Sequence, residues 1–94
     1  MSDADYESTK NTLDGIIEKL ANLEHERWSR WQNYMHSKCM RQSDGSLLVP
    51  STLVERWERQ MQTTYWDLTD EEKTSDRDQV QQYLPLILAA LTNK

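Results

Sequence analysis

Residues 12–39 read TLDGIIEKLANLEHERWSRWQNYMHSKC, and this stretch decides the fold. Its apolar residues recur at steps of three and four, which is the period of an α-helix. The sequence therefore predicts one long amino-terminal helix over 12–39, with candidate caps between Ser8 and Asp14 and with residues 1–7 flexible. The apolar positions are Leu13, Ile16, Ile17, Leu20, Leu23, Trp28, Trp31, Tyr34, Met35 and Cys39.

A second, shorter helix is predicted further along the chain. Thr52 and Glu55 stand at the spacing of a capping box, and apolar residues then follow on one face. The sequence therefore predicts a short helix over 52–62. Before it, residues 41–50 contain Ser-Asp-Gly-Ser and end in a proline, so they are expected to form a turn and a short extended segment.

The last helix is predicted from a second capping box. Thr69 and Glu72 have the capping-box spacing, and the acidic residues after Thr69 suit the positive end of a helix dipole. This helix is expected to begin near Asp70, to be kinked or restarted at Pro85, and to run antiparallel to the first. Its apolar stripe is Val80, Tyr83, Leu84, Ile87, Leu88 and Leu91.

Composition favours helices over a sheet. Only two Gly and two Pro leave few residues for the tight turns of a sheet-rich fold. The 94-residue chain is 36% apolar without Phe, so four Trp and four Tyr are expected to anchor a thin core, and Tyr65 and Trp66 to pin the connector before the last helix. The predicted fold is all-α, a small helical bundle in one domain over 1–94. A homodimer is expected, because the rest of the chain is too short to cover so long an apolar and aromatic helix.

Several functional classes are disfavoured. One cysteine, Cys39, rules out an internal disulfide and suits a reducing compartment. No apolar run approaches the ~20 residues of a membrane span, and the acidic amino terminus is unlike a signal peptide. The net charge of −5 argues against a duplex-DNA binder. We therefore expect a cytoplasmic protein whose partners include neither a membrane nor duplex nucleic acid.

Catalytic and metal chemistry are not expected either. Glu24, His25 and Glu26 are adjacent on a helix, where neighbours point about 100° apart and cannot converge on one atom. His36 and Cys39 supply two zinc ligands where a site needs about four. The chain is therefore predicted to be a non-enzyme without a metal or other cofactor.

The charge is distributed unevenly along the chain. Residues 27–59 hold six bases and three acids, a balance of +3, whereas residues 1–26 carry −5 and residues 60–94 carry −3. Bases interleaved with aromatic residues suit a small anionic or nucleotide-like ligand. The alternative is a solvated basic face beside aromatic residues that point into the core.

Two stretches put charge where an amphipathic helix should be apolar. Glu24 and Arg27 fall within about 40° of the centre of the first apolar stripe, and Asp76 and Arg77 extend the last stripe backwards. Antiparallel packing then pairs Asp76 with Arg27 and Arg77 with Glu24. One interpretation is a part-buried ion network that fixes helix register. The other is a pocket in which the two arginines and a neighbouring tryptophan receive an anion with an aromatic part.

Four short motifs occur in order along the chain: His25-Glu26-x-Trp28, Tyr65-x-x-Leu68, Glu71-x-Lys73 and Asp76-Arg77. Over about residues 20–84 the chain resembles the ryanodine-receptor repeat domain, found in calcium-release channels and as small stand-alone proteins of bacteria and their phages. It lacks the family's Gly-Trp-x-Tyr-Gly segment and the His-Pro before Leu-Val-Pro, and it inserts the helix at 52–62. The resemblance implies a helical, non-enzymatic module and, for prokaryotic members, a link to nucleotide-signal-based phage defence.

These observations predict a non-catalytic binding module. It would be an accessory protein of a phage or prophage that binds a host protein or a small anionic, nucleotide-like ligand and sequesters a defence signal. The alternative is a structural or interaction protein without a small-molecule ligand, whose charged layer only fixes helix register. The candidate ligand-binding residues are Glu24, His25, Arg27, Trp28, Trp31, Tyr65, Asp76 and Arg77.

Overall fold

A computed structural model describes residues 2–92 of the chain. Over these residues the fold is all-α, as predicted, with one small hairpin and a short 3-10 helix between the helices. The elements in chain order are α1 (Asp3–Asp14), α2 (Ile17–Lys38), β1 (Met40–Arg41), β2 (Leu47–Leu48), α3 (Ser51–Gln62), the 3-10 helix (Tyr65–Asp67) and α4 (Asp70–Thr92).

The long helix predicted over 12–39 is present as α2 (Ile17–Lys38), but it begins later than predicted, because a separate helix, α1, precedes it and the two meet at Gly15 and Ile16. The N–H of Ile16 bonds the carbonyl of Leu13, three residues back, at 3.0 Å. This tighter bond interrupts the regular α-helical ladder, and glycine is a weak helix former at such a point. Regular bonding resumes when the N–H of Leu20 reaches the carbonyl of Ile16 at 3.0 Å.

Helical structure itself begins earlier than predicted, in α1. Ser2 caps α1, with its hydroxyl accepting the N–H of Asp5 at 3.2 Å. Thr12, a candidate cap in the sequence, lies inside α1 and donates its hydroxyl to the carbonyl of Ser8 at 3.0 Å. Residues 3–7, expected to be flexible, form the first turns of α1, whereas Met1 lies outside the described residues.

The short middle helix is confirmed as α3, but its predicted cap is not used. Pro50 precedes the helix without a side-chain cap, and Thr52 is already inside it. The second predicted box does form. The N–H of Glu72 reaches the hydroxyl of Thr69 at 3.2 Å, and the N–H of Thr69 reaches the carboxylate of Glu72 at 3.1 Å.

Pro85 lies within α4, which continues without a restart to Thr92. Proline removes one backbone donor, but its fixed φ is compatible with a helix, and the turns on both sides keep their own hydrogen bonds. Of the two predicted outcomes at Pro85, a kink or a restart, the structure excludes the restart.

The segment 41–50 contains a small hairpin where only a turn and an extended piece were predicted. Met40 pairs with Leu48 and Arg41 with Leu47 in antiparallel register. Gly45 adopts φ +89°, a backbone conformation that residues with a Cβ rarely accept. Asp44 stabilises the turn by accepting the N–H and the hydroxyl of Ser46, at 2.9 and 2.6 Å.

The chain divides into two compact units. Unit 1 comprises Met1–Arg27 and Asp76–Lys94, of which 2–27 and 76–92 are described, and unit 2 comprises Trp28–Ser75. Ile16, in unit 1, is the core residue of the described chain, with 9% of its surface exposed. Within Ser2–Thr92, no helix has both the length and the apolar character that a membrane crossing needs.

In unit 1, α2 and α4 run side by side and antiparallel. Glu24 of α2 contacts Tyr83 of α4, whereas Ile17, two turns earlier, shares a cleft with Ile87, one turn later. The residues facing the interface are half-buried; they are Leu20, Leu23, Gln79, Tyr83, Leu86, Ile87 and Ala90.

Candidate functional site

The charged residues predicted to lie at the centre of the helix interface are on the surface. Arg27 donates to the Glu24 carboxylate, one turn earlier in α2, at 3.0 Å. Their side chains remain 52% and 56% exposed. No polar or charged side chain is buried among the described residues. Glu24 and Arg27 therefore form a half-exposed pair within α2 rather than a fully buried one.

Tyr83 of α4, which the sequence analysis did not pair with Glu24, is a cross-helix partner of Glu24. The phenolic O–H of Tyr83 donates to the second carboxylate oxygen of Glu24, and the amide of Gln79 donates to the same hydroxyl at 3.1 Å. These contacts hold the pKa of the Glu24 carboxyl below its ordinary value, chiefly through the Tyr83 hydrogen bond and also through the Arg27 guanidinium. The sequence offered Tyr83 only as a member of an apolar stripe.

The difference arises from the face that α2 turns towards α4. The prediction centred that face on the line of Leu13 and Trp31, whereas in the structure Leu20 and Leu23 lie beside α4. The two lines differ by about 50° around the helix. Glu24 consequently lies at the edge of the interface, where water reaches its carboxylate.

The remaining candidates belong to different units. His25, Asp76 and Arg77 belong to unit 1 with Glu24 and Arg27, whereas Trp28 belongs to unit 2. His25, Trp28 and Arg77 each engage another group, so none of the three is a free side chain. Trp28 nevertheless keeps 55% of its surface exposed.

An aromatic cluster joins α2 to α3 in unit 2. The ring of Trp31 meets Trp57 edge-on at 5.5 Å and stacks on Tyr34 at 5.7 Å between centroids. The ammonium of Lys38 lies 5.6 Å from the Tyr34 ring. Trp31 remains 43% exposed and Trp57 is half-buried, so the cluster both packs α3 and presents rings to solvent.

The 3-10 helix presents a second aromatic pair, here named the Tyr65–Trp66 platform. The two rings meet edge-on at 5.2 Å, and the ammonium of Lys73 lies 5.7 Å from the Tyr65 ring. Tyr65 is half-buried, in line with its predicted pinning role. Trp66, predicted to share that role, is 80% exposed. Of the two aromatic residues, only Tyr65 is thus placed to hold the connector.

Glu72 is the most strongly perturbed titratable group of the described residues. Its carboxylate accepts the N–H and hydroxyl of Thr69, the Gln60 amide and the Arg59 guanidinium, the last at 3.1 Å. These bonds, the backbone N–H of Thr69 first, hold the pKa of Glu72 at about 2 against an ordinary 4.5. Glu72 thereby joins the start of α4 to α3, a role that the sequence indicated only as a helix cap.

Two open clefts border the interface of α2 and α4, each with a volume of about 470 Å³. One has apolar walls and is lined by Ile17, Leu20, Ala21, Glu24, Tyr83 and Ile87. The other is lined by Glu18, Lys19, Asn22, Leu23 and Leu86. Neither cleft is lined by Arg27, Arg77 or a tryptophan, the groups proposed from the sequence to hold an anion.

No three His, Cys, Asp or Glu side chains gather as metal ligands in the part of the chain that the structure describes. Cys39 is a free, half-exposed thiol. Comparison of the chain with family models, with curated proteins and with solved structures finds no match.

Proposed function

We propose that the chain is a non-catalytic protein-interaction module that binds a host protein through the Tyr65–Trp66 platform. The observation that carries this proposal is the 80% exposure of Trp66. Tryptophan is enriched among the residues that dominate binding energy at protein interfaces, where it fills a pocket of the partner. The expected partner therefore presents an apolar pocket that accepts an indole ring.

The local structure supports this role because it presents the indole without burying it. Leu68 closes the 3-10 helix by donating its N–H to the carbonyl of Tyr65 at 3.1 Å, and both residues are half-buried. They are also the residues of Tyr65-x-x-Leu68, which carries part of the resemblance to the ryanodine-receptor repeat. Tyr65 and Leu68 thus hold the chain on either side of the exposed tryptophan. Binding should therefore cost little further conformational entropy in this segment.

A second large apolar side chain close in sequence is also exposed. Met61, at the end of α3, is 76% exposed. Methionine is flexible and adapts to partner surfaces, and it is enriched at interfaces together with aromatic residues. In a chain of this composition, such exposure favours a macromolecular partner over solvent alone.

The broader setting remains part of the same proposal. We place the protein in the cytoplasm, as an accessory protein of a phage or prophage, and as a homodimer. A small anionic ligand is the alternative to a protein partner. It is favoured less, because Arg27 already pairs with Glu24 and neither described cleft gathers the arginines.

The proposal is tested by capture with immobilised wild-type protein from host extract, followed by purification of the captured protein and titration against Trp66→Ala. We expect binding at least about tenfold weaker, as for a central tryptophan of an interface. Leu48→Ala, at an exposed apolar residue of the same unit, is the matched control and should bind as wild type. Equal binding by Trp66→Ala would overturn the proposal.

A nucleotide retained in native mass spectrometry, and lost in Arg27→Ala, would favour the ligand alternative.

A further inference from the structure

The α2–α4 pair of unit 1 leaves one of its sides apolar and uncovered. At 100° per residue, the half-buried residues from 79 to 92 occupy an arc of about 100° that faces α2. The exposed apolar residues occupy the adjoining arc of about 80°. These are Val80, Leu84, Leu88 and Leu91, with exposures of 51%, 49%, 64% and 39%. The helix therefore carries more apolar surface than one neighbouring helix covers.

The neighbouring helix contributes to the same side. Ile17 of α2 is 53% exposed and lines the apolar cleft together with Ala21. Ile87, at the margin of the exposed arc of α4, lines the same cleft, so the exposed apolar residues of both helices lie on the side of the pair that carries this cleft. The opposite side carries the cleft lined by Glu18, Lys19, Asn22, Leu23 and Leu86, where two leucines lie beside polar and charged side chains. The exposed aliphatic side chains of α4 therefore lie on one side of the pair.

We infer that a second copy of this chain covers the apolar side, so that two copies form a four-helix bundle from their α2 and α4 helices. Two antiparallel helices with one apolar side are half of such a bundle, and a two-fold axis brings the same surface of each copy together. This inference rests on the proposed homodimer and assigns its surface, named here the aliphatic face (Ile17, Val80, Leu84, Leu88 and Leu91).

The composition of the aliphatic face favours a second copy over a charged partner. Residues 79–92 contain no Asp, Glu, Lys or Arg, in a chain of which 29% of the residues are charged. A surface without charge gives no electrostatic selection for an acidic or basic partner. Charge enters only at the adjoining cleft, which Glu24 lines, and there the Glu24 carboxylate is already paired with Arg27 of its own helix.

The exposed area matches what a dimer requires. An unfolded chain exposes about 1.45 Å² per dalton, so the five half-exposed residues leave on the order of 400 Å² of apolar surface. A stable interface buries about 800 Å² per partner, of which about 60% is apolar. The aliphatic face and the adjoining cleft therefore supply roughly the apolar part of one half of a standard interface.

The test is the mass of the full chain in sedimentation equilibrium, with Leu88→Glu and the matched control Leu48→Glu, at an exposed leucine of unit 2. We expect twice the 11.2 kDa of one chain for wild type and for Leu48→Glu. Leu88→Glu should raise the dimer dissociation constant at least about 100-fold, because it places an unpaired carboxylate in the interface. A monomeric wild type, or a Leu88→Glu that remains dimeric, overturns the inference.

Two further measurements keep the test decisive. If Leu88→Glu does not fold, the melting temperature of wild type must rise with protein concentration, as mass action requires of a dimer, and a concentration-independent melt overturns the inference. Trp66→Ala should remain a dimer, whereas Leu88→Glu should still capture the protein partner. Loss of dimerisation and loss of partner binding therefore report separately on the aliphatic face and on the Tyr65–Trp66 platform.

Discussion

Tyr83 of α4 donates its phenolic O–H to the carboxylate of Glu24 in α2. This hydrogen bond joins the two helices. From the sequence we predicted charged residues at this position of α2 and an apolar stripe on α4, but no hydrogen bond between them. The Arg27 guanidinium holds the other oxygen of the same carboxylate at 3.0 Å. Glu24 therefore links α2 to α4 through a hydrogen bond at the edge of their interface.

Tyr83→Phe should raise the pKa of Glu24 towards its ordinary 4.5, because the Tyr83 hydroxyl is the main cause of its lowered value. A lowered pKa stabilises the folded state above pH 4.5, and that contribution is lost as the pH falls through the folded-state pKa. The variant should therefore be less stable at neutral pH and less sensitive to acid. Carboxyl NMR titration and thermal melts measure both effects.

Tyr6→Phe is the matched control for Tyr83→Phe. Tyr6 lies in α1 with 58% of its surface exposed, so its variant should melt as the wild type does. If Tyr83→Phe leaves the pKa of Glu24 unchanged, the Tyr83–Glu24 hydrogen bond does not form in solution.

Thr69→Ala should cost about 1 kcal/mol of unfolding free energy, as is usual for the loss of a threonine cap. The same substitution should raise the pKa of Glu72, because the Thr69 hydroxyl is one of the donors that hold it at about 2. Urea unfolding and an NMR titration of Glu72 test the two effects.

Thr52→Ala is the control for Thr69→Ala, since Thr52 has the same sequence spacing to a glutamate but lies inside α3. It should change stability by less than about 0.5 kcal/mol. A larger loss would mean that Thr52, not Pro50, caps α3.

These two threonines show what the sequence could and could not predict. The Thr69–Glu72 box was predictable because all of its donors and acceptors lie within one turn. Thr52 failed because Pro50 starts the helix earlier, and proline is well suited to the beginning of a helix. Local chemistry thus located the helices, with errors of a few residues at their ends.

The packing of α2 depends on non-local information. Apolar residues line two faces of this helix, one through Ile17 and Trp31 and one through Leu20 and Leu23. Periodicity cannot decide which face meets α4, because the choice depends on the shape of the partner. The prediction used the first face, and this choice placed Glu24 and Arg27 closer to the centre of the interface than the structure does. The Glu24–Tyr83 hydrogen bond could have been predicted from one feature of the sequence. Glu24 stands beside the apolar stripe of α2, and the opposing stripe of α4 contains a tyrosine.

Glu72→Gln should remove part of the acid sensitivity of the fold. Because the folded-state pKa of Glu72 is lowered to about 2, its carboxylate stabilises the protein above pH 4.5, and this contribution is lost progressively between pH 4.5 and about 2. The variant should be less stable at pH 7 and lose less stability on acidification. Glu58→Gln, at an exposed glutamate of α3, is the control and should keep the acid sensitivity of the wild type. A wild-type acid profile in Glu72→Gln would contradict the hydrogen-bond network with Thr69, Gln60 and Arg59.

Gly45→Ala should destabilise the hairpin by about 1 kcal/mol, since a Cβ is disfavoured at φ +89°. Gly45→Asn should cost less, because asparagine tolerates this conformation better than alanine. No atom lies within 4 Å of a Cβ built at Gly45, so backbone conformation rather than crowding decides the outcome. Equal unfolding free energies for the two variants would show that the turn relaxes to another conformation.

Trp57→Ala should reduce the stability of the fold far more than Trp66→Ala does. Trp57 is half-buried and meets Trp31 edge-on at 5.5 Å, so its removal should cost about 2 kcal/mol through lost burial and a lost aromatic pair. Trp66 is 80% exposed, and its removal should change stability by less than about 0.5 kcal/mol. Denaturant unfolding followed by circular dichroism, which does not depend on either indole, measures both values. A large loss of stability in Trp66→Ala would place its indole in the core and remove the basis for a docking platform.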